Sequence, residues 1–222
     1  MIWVKRASWP KVLLTKGEKW KSDIRAASTP QGREKAQNKY RHSQIKDALV
    51  AMFHGKCAYC ESAITHIDYG HIEHFKPKGI PEYYDLAVDW SNLLLACGRC
   101  NGPENKGIKF PGPSSGGPLV NPTEDDPGQH FRFDFDRVTK LANVLGISER
   151  GETTWRLLGL NRRELVRRRS DFVKKLWVIA TRYDSDAEAR EIIDNAVSDG
   201  EEYTAFAREL KRVLTARSQR LV

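Results

Sequence analysis

Three short stretches decide how this chain reads: Cys57-Ala-Tyr-Cys60, His71-Ile-Glu-His-Phe-Lys-Pro-Lys78 and Cys97-Gly-Arg-Cys100-Asn101. The chain has four cysteines, and all of them fall in the two CxxC pairs. One CxxC turn presents two sulfurs to one ion, and a second turn completes a tetrahedron. In a reducing compartment disulfides are disfavoured. The pairs therefore read as a structural zinc site on Cys57, Cys60, Cys97 and Cys100. Four protein sulfurs leave no open coordination position, so chemistry must come from elsewhere.

The segment between the pairs supplies it. His71, Glu73 and His74 lie ahead of the second pair, Asn92 sits just before it and Asn101 directly follows it. A zinc ribbon used only as a scaffold needs none of these. Phosphodiester hydrolysis needs a base to activate water and positive charge on the phosphate and the leaving oxygen. Imidazole serves as the base near neutral pH, and a hard divalent cation on oxygen ligands serves the rest. Glu73 and Asn101 are candidate ligands for Mg²⁺ or Mn²⁺, and His74 is the candidate base. Neighbours in a strand point to opposite faces, so Glu73 and His74 can serve one phosphate only if the strand breaks at His74. Pro77 and Gly79 supply a break. His71 shares the strand face of Glu73; it reads as an assisting group or, equally, as a hydrogen-bonded structural histidine. Lys76, Lys78 and Lys106 are candidate nucleic-acid contacts.

Working outward, Ser43 reads as the cap of a helix with Ile45, Leu49 and Met52 or Phe53 on one face, ended by Gly55. Residues 64–75 read as a hairpin turning near Asp68 and Gly70, and 76–89 as an irregular loop. A Pro- and Gly-rich stretch over 111–118 closes the module. Phe131 to Phe135 alternates as a strand does. From Glu149 the pattern is helical, with Asn161 as cap of a long helix bearing Leu165, Phe172, Leu176 and Ile179, then helices over 186–197 and 201–214. Ahead of the cysteines, Ile2 to Lys5 looks strand-like and the rest of 1–42 carries no clear pattern. The expected class is α+β. It divides into a basic N-terminal arm with a lead-in helix (1–55), a zinc-stapled module (56–112) and a mainly helical C-terminal region (113–222).

Net charge is +8, and residues 1–50 hold twelve Lys+Arg against four Asp+Glu, while the remainder balances. That surplus suits a polyanion through counterion release, with Lys16, Lys19 and Lys21 as candidate contacts. A solvated basic surface explains it equally. Arg162, Arg163, Arg167, Arg168 and Arg169 form a second basic run, too dense for one helix face. Asp125 and Asp126 read as a turn before Pro127. His54, His66 and His130 read as surface or packing residues. Mean hydropathy is −0.59, and no apolar run is long enough to span a bilayer. No membrane association and a cytoplasmic location are the expectation.

These residues together resemble the HNH, or ββα-metal, endonucleases. The resemblance implies Glu73 as a metal ligand, His74 as general base, Asn92 as the residue orienting the loop, and Asn101 as the second ligand. The commonest family form has Asp where this chain has Glu73. Many members place a lysine three residues after the last motif residue, whereas Lys106 lies five after Asn101. The stretches IKDALVAMFHGKCAYCE, IEHFKPKG, LVNPTEDDPGQHF and LLGLNRREL, with the N-terminal IWVKR, are similar to the HNH component of Septu-type anti-phage systems, also found with some retrons. That resemblance implies metal-dependent cleavage of nucleic acid, DNA favoured, leaving 5′-phosphate and 3′-hydroxyl ends, and an ABC-like ATPase as partner. Two rival readings stand beside it. One is an RNA- or tRNA-cleaving nuclease with the same site. The other is a non-catalytic zinc-ribbon adaptor for the ATPase.

Overall fold

The computed structural model describes residues 1–218. Chain order runs α1 (Lys11–Ala26), α2 (Pro30–Gln37), α3 (Ser43–Met52), β1 (His71–His74), β2 (Leu93–Ala96), α4 (Gly98–Asn101), β3 (Phe131–Phe135), β4 (Ala142–Gly146), α5 (Glu149–Leu157), α6 (Arg163–Ala180), α7 (Ala187–Ala196) and α8 (Thr204–Ser218). Short 3-10 turns punctuate it, the longest at Pro81–Val88. The described residues form two separate two-stranded antiparallel sheets, β1-β2 and β3-β4. The class is α+β, as the sequence implies.

The N-terminal region is not an arm. Val12, Leu13, Trp20 and Ile24 recur at helical spacing and bury one face of α1. The Thr29 side chain caps α2 by accepting from the Gly32 N–H at 3.1 Å, and Pro30 at its first turn has no N–H to lose. The strand expected at Ile2–Lys5 does not form. Met1 and Ile2 are buried, and Val4 N–H donates to the Pro122 carbonyl at 2.8 Å. Arg6 then donates to the carbonyls of Trp90 (2.7 Å), Leu93 (2.6 Å) and Ser91 (2.8 Å). Trp90 returns a bond from Nε1 to the Ala7 carbonyl at 2.8 Å. The first ten residues thus clamp the turn that feeds β2.

Helix α3 matches the sequence pattern, burying Ile45, Leu49 and Met52. Its cap is His42, whose Nδ1 accepts from Gln44 N–H at 3.2 Å; Ser43 is the first helical residue. The hairpin expected over 64–75 is a correction. Residues 64–68 turn back on Ile64, with Asp68 N–H on the Ile64 carbonyl at 2.8 Å. Ile67 and Tyr69 lie in solvent, 77% and 91% exposed. Their β-branched and aromatic character made the segment look like a strand, but they pack against nothing. The true partner of β1 is β2, with His71 opposite Ala96 and His74 opposite Leu93. All four residues of β2 are buried.

In the C-terminal region the strand over 131–135 forms and pairs with β4, which the sequence reading did not assign. Asn161 does not cap a helix. Its side chain grips β4 instead, accepting from Val144 N–H at 2.9 Å and donating to the Val144 carbonyl at 2.7 Å. The Arg162–Arg169 run is dispersed by the fold. Arg168 meets Glu202 at 3.4 Å. Arg169 is 2% exposed and donates to the carbonyls of Ala142 and Leu160 and to Asn161 Oδ1, joining β4 to α6. Helices α6, α7 and α8 close a small core of their own around Leu176, Ile193 and Leu210.

Arg169→Ala strands several buried carbonyls at once. We expect it to lower unfolding free energy by about 2–5 kcal/mol, read from urea melts against wild type. Arg163→Ala, on the exposed side of the same helix, should change it by less than about 0.5 kcal/mol.

Candidate active site and metal centre

The two CxxC turns are held together before any metal is considered. Ala58 N–H, inside the first turn, donates to the Leu95 carbonyl of β2 at 2.8 Å, just before the second turn begins. The four Sγ atoms lie within 4.8 Å of one another, and Cys60 and Cys97 approach to 3.9 Å. A Zn–S bond of about 2.3 Å places the sulfurs of a tetrahedral site roughly 3.8 Å apart, so the donor set fits a zinc ion. The surroundings fit its charge as well. Cys100 N–H points at Cys97 Sγ at 3.4 Å, and Arg162 Nη1 reaches Cys100 Sγ at 3.6 Å. Burial opposes the Arg162 charge, but the neighbouring sulfurs outweigh it and raise its pKa. Arg162 thus offsets part of the excess negative charge of a four-thiolate site.

Beyond the sulfurs, β1, the loop after it and α4 converge on a cavity of about 300 Å³ whose walls include Glu73, His74, Lys78 and Asn101. Glu73 and His74 both line it because β1 ends at His74. Asn92 holds the turn that follows. Its Oδ1 accepts from Lys76 N–H at 2.7 Å, and its Nδ2 donates to the carbonyls of Lys76 (2.9 Å) and Leu86 (3.1 Å). The side chain substitutes for a ladder rung and fixes the exit of β1.

His74 is 7% exposed, and its Nε2 lies 3.0 Å from the Ala87 carbonyl. A carbonyl can only accept, so Nε2 carries the proton and Nδ1 keeps its lone pair. Tyr40 packs edge-on against the ring at 4.5 Å. Burial, with Lys78 and Lys106 nearby, lowers the His74 pKa to about 4 despite the support of the Ala87 carbonyl. The ring is therefore neutral at physiological pH.

Glu73 is 3% exposed. Lys106 Nζ pairs with its Oε1 at 2.5 Å, and Tyr59 OH donates to the same oxygen at 3.3 Å. Oε2 takes neither bond. Burial raises the carboxyl pKa, and Lys106, Tyr59 and the His74 N–H pull it back. Lys106 is itself fully buried and also donates to the His74 carbonyl at 2.8 Å. That removes Lys106 from the nucleic-acid contacts and makes it the counter-charge of Glu73. Lys21 is removed for a similar reason, being paired with Asp89 at 2.8 Å. Lys16 and Lys19 are exposed on α1, and Lys19 meets Asp23 at 3.3 Å. His71 is half-exposed, 3.9 Å from Asp68 Oδ2, and is not among the residues lining the cavity. Tyr59 and Tyr40 went unnoticed in the sequence. Tyr59 could have been suspected from its place inside a CxxC turn, whereas Tyr40, far back in the chain, gave no signal.

A strand, a CxxC turn and a short helix enclose Glu73, His74 and Asn101. Residues 57–107 match the family model described as HNH endonuclease. The chain is also related to proteins named Septu protein PtuB. One, from Bacillus mycoides (strain KBAB4), is 34% identical over 196 residues, covering 72% of this chain and 65% of the relative. Another, from Bacillus thuringiensis, is 40% identical over 118 residues, covering 53% and 41%. The match thus spans less than two thirds of either relative. No solved structure matches. No helix among the described residues is long and apolar enough to cross a membrane.

Cys57→Ser should release the metal and unfold the module, because structural zinc contributes directly to folding free energy. Elemental analysis should find about one zinc per wild-type chain; an unchanged thermal midpoint in a zinc-free variant would refute the structural role. A second expectation concerns pH. The His74 pKa is depressed from 6.5 to about 4, so its contribution to stability is present above pH 6.5 and is lost as pH falls toward 4. In protein free of added Mg²⁺, wild type should lose up to about 3 kcal/mol more than His74→Gln across that window. Parallel pH–stability curves would show that burial does not hold the ring neutral.

Proposed function

We propose that this chain is a metal-dependent nuclease that hydrolyses phosphodiester bonds, with DNA the favoured substrate, as the effector of an anti-phage defence system. The observation that carries the reading is the meeting of Glu73, His74 and Asn101 at one cavity, with His74 fixed in the tautomer that leaves Nδ1 free. Glu73 through Oε2 and Asn101 through its amide oxygen would hold a Mg²⁺ or Mn²⁺ ion, which when bound supplies Lewis-acid charge to the phosphate and the leaving oxygen. His74 Nδ1 takes the proton from the attacking water, while the Ala87 carbonyl holds the ring in register. Lys106 keeps the Glu73 carboxylate charged within a buried setting. Asn92 fixes the chain so that Lys76 and Lys78 stand beside the cavity as phosphate contacts. Attack at phosphorus with departure of the 3′ oxygen leaves 5′-phosphate and 3′-hydroxyl ends.

The relatives' name supports the setting. Septu systems, which this chain resembles, pair such a nuclease with an ABC-like ATPase, and we assign that partner here. A cytoplasmic location follows from that role.

Labelled DNA and RNA incubated with the protein, with and without Mg²⁺ or Mn²⁺, test the reading. Cleavage should require the ion, and His74→Ala should lose it by about 10²–10⁴-fold or more while binding is kept. Cleavage confined to RNA would transfer the site to the RNA reading. Binding without cleavage under every ion would favour the adaptor reading.

A further inference from the structure

A second cavity, of about 510 Å³, opens beside the catalytic one. Two chain segments wall both. Glu73, His74, Pro77 and Lys78 line the first, whereas Phe75 and Lys76 line the second. Gly107 and Ile108 line the first, and Phe110 to Pro113 the second. His74 and Phe75 are neighbours in the chain, so the two openings lie side by side.

The second cavity has a different chemistry. Phe75 and Tyr83 both pack edge-to-face with Phe110, at 5.3 and 5.7 Å. Tyr83 and Phe110 are only half-buried and keep ring surface open. Arg150 is engaged by Asp125 and by the carbonyls of Pro118 and Leu119. Exposed Glu82 and Glu124 stand in the wall, against Lys76. A phosphate would meet two carboxylates there, whereas a neutral flat group would not suffer that repulsion.

Asn121 is the second, independent observation. It lines this cavity and is 1% exposed. The Thr123 backbone N–H, which can only donate, bonds Oδ1 at 3.1 Å, and Thr123 Oγ1 bonds it at 2.9 Å. This fixes which end of the amide is oxygen. Nδ2 is left as one of two buried side-chain polar atoms without a partner among the described residues. Such unmade donors are rare in folded proteins, and nucleobases carry ring nitrogens and carbonyls that accept.

We propose that this cavity takes an unstacked nucleobase of the strand being cleaved, stacked on Tyr83 and Phe110 and hydrogen-bonded by Asn121 Nδ2. The inference rests on the nuclease reading. It makes the preferred substrate single-stranded or locally opened, and it places a base preference next to the scissile phosphate.

The test uses the full chain in a His74→Ala background, so that strands are bound and not cut. Short DNA and RNA oligonucleotides are compared with an abasic strand of equal length and charge. Ordinary strands should bind about tenfold or more tighter than the abasic one. Tyr83→Ala removes the stacking ring. Asn121→Asp keeps the acceptor for Thr123 but replaces the donor. Each variant, with its thermal midpoint checked, should erase the difference and leave affinity for the abasic strand unchanged. Equal binding of ordinary and abasic strands, or a preference that survives both substitutions, overturns the proposal. Hydrolysis of bis(p-nitrophenyl) phosphate with Mn²⁺, in chains with His74 intact, reports on the nuclease reading separately. Hydrolysis without base preference overturns only the cavity. Base preference without hydrolysis supports the cavity and overturns the nuclease reading.

Discussion

The convergence of two CxxC turns onto one four-sulfur cluster sets the positions of Glu73, His74 and Asn101. The first turn is tied to β2 through Ala58 and Leu95, and the second continues directly from β2 into α4. Because β1 pairs with β2 in a single register, fixing the sulfurs fixes Glu73 and His74 on one side and Asn101 on the other. A one-residue slip of β1 would exchange the faces of its side chains. The sulfur cluster and the fully buried β2 together forbid that slip.

The buried pair of Glu73 and Lys106 sharpens that constraint. Two charges taken out of water rarely stabilise a fold on net, and breaking such a pair leaves one of them uncompensated. Here the pair also donates to the His74 carbonyl, so it ties the carboxylate, the end of β1 and the segment after α4 together. The pair is better explained by position than by stability. Lys106 pulls the carboxyl pKa down at a depth where burial pushes it up. An Asp at position 73 would be one methylene shorter, so the longer Glu suits a carboxylate that must reach both Lys106 and the cavity.

Most of the centre of this fold was legible from local spacing. The clustering of the four cysteines was legible from their order and separation, whereas Glu73, His74, Asn92 and Asn101 were singled out by side-chain chemistry and by the HNH resemblance. What was missed lies where tertiary packing overrides composition. The Thr65–Tyr69 segment has strand-like residues but leaves them in solvent, and nothing in the sequence says that β1 skips past it to reach β2. Helices α1 and α2 were hidden by their lysines, since an amphipathic helix with a long charged face has low overall hydrophobicity. Asn161 looked like a cap because Asn often is one, yet it satisfies β4. Lys106 looked like a surface cation, and only its burial shows that it answers Glu73.

The charge surplus also takes on a different meaning once the fold is known. Residues 1–50 carry all of it in the sequence, which suggests a free basic arm. In the structure, several of those cations are used internally. Arg6 clamps the turn before β2, Lys21 and Arg25 pair with Asp89 and Asp85, and Lys46 donates to the Gly70 carbonyl. The bonds of Lys21, Arg25 and Lys46 draw α1 or α3 toward the 64–92 segment that carries β1. The N-terminal charge thus assembles the module as much as it faces outward. Of the lysines near the site, Lys76 lines the aromatic cavity and Lys78 the one beside Glu73 and His74. A phosphate at His74 and a base at Tyr83 would be bridged by that one short stretch of chain, whose conformation Asn92 fixes through three hydrogen bonds.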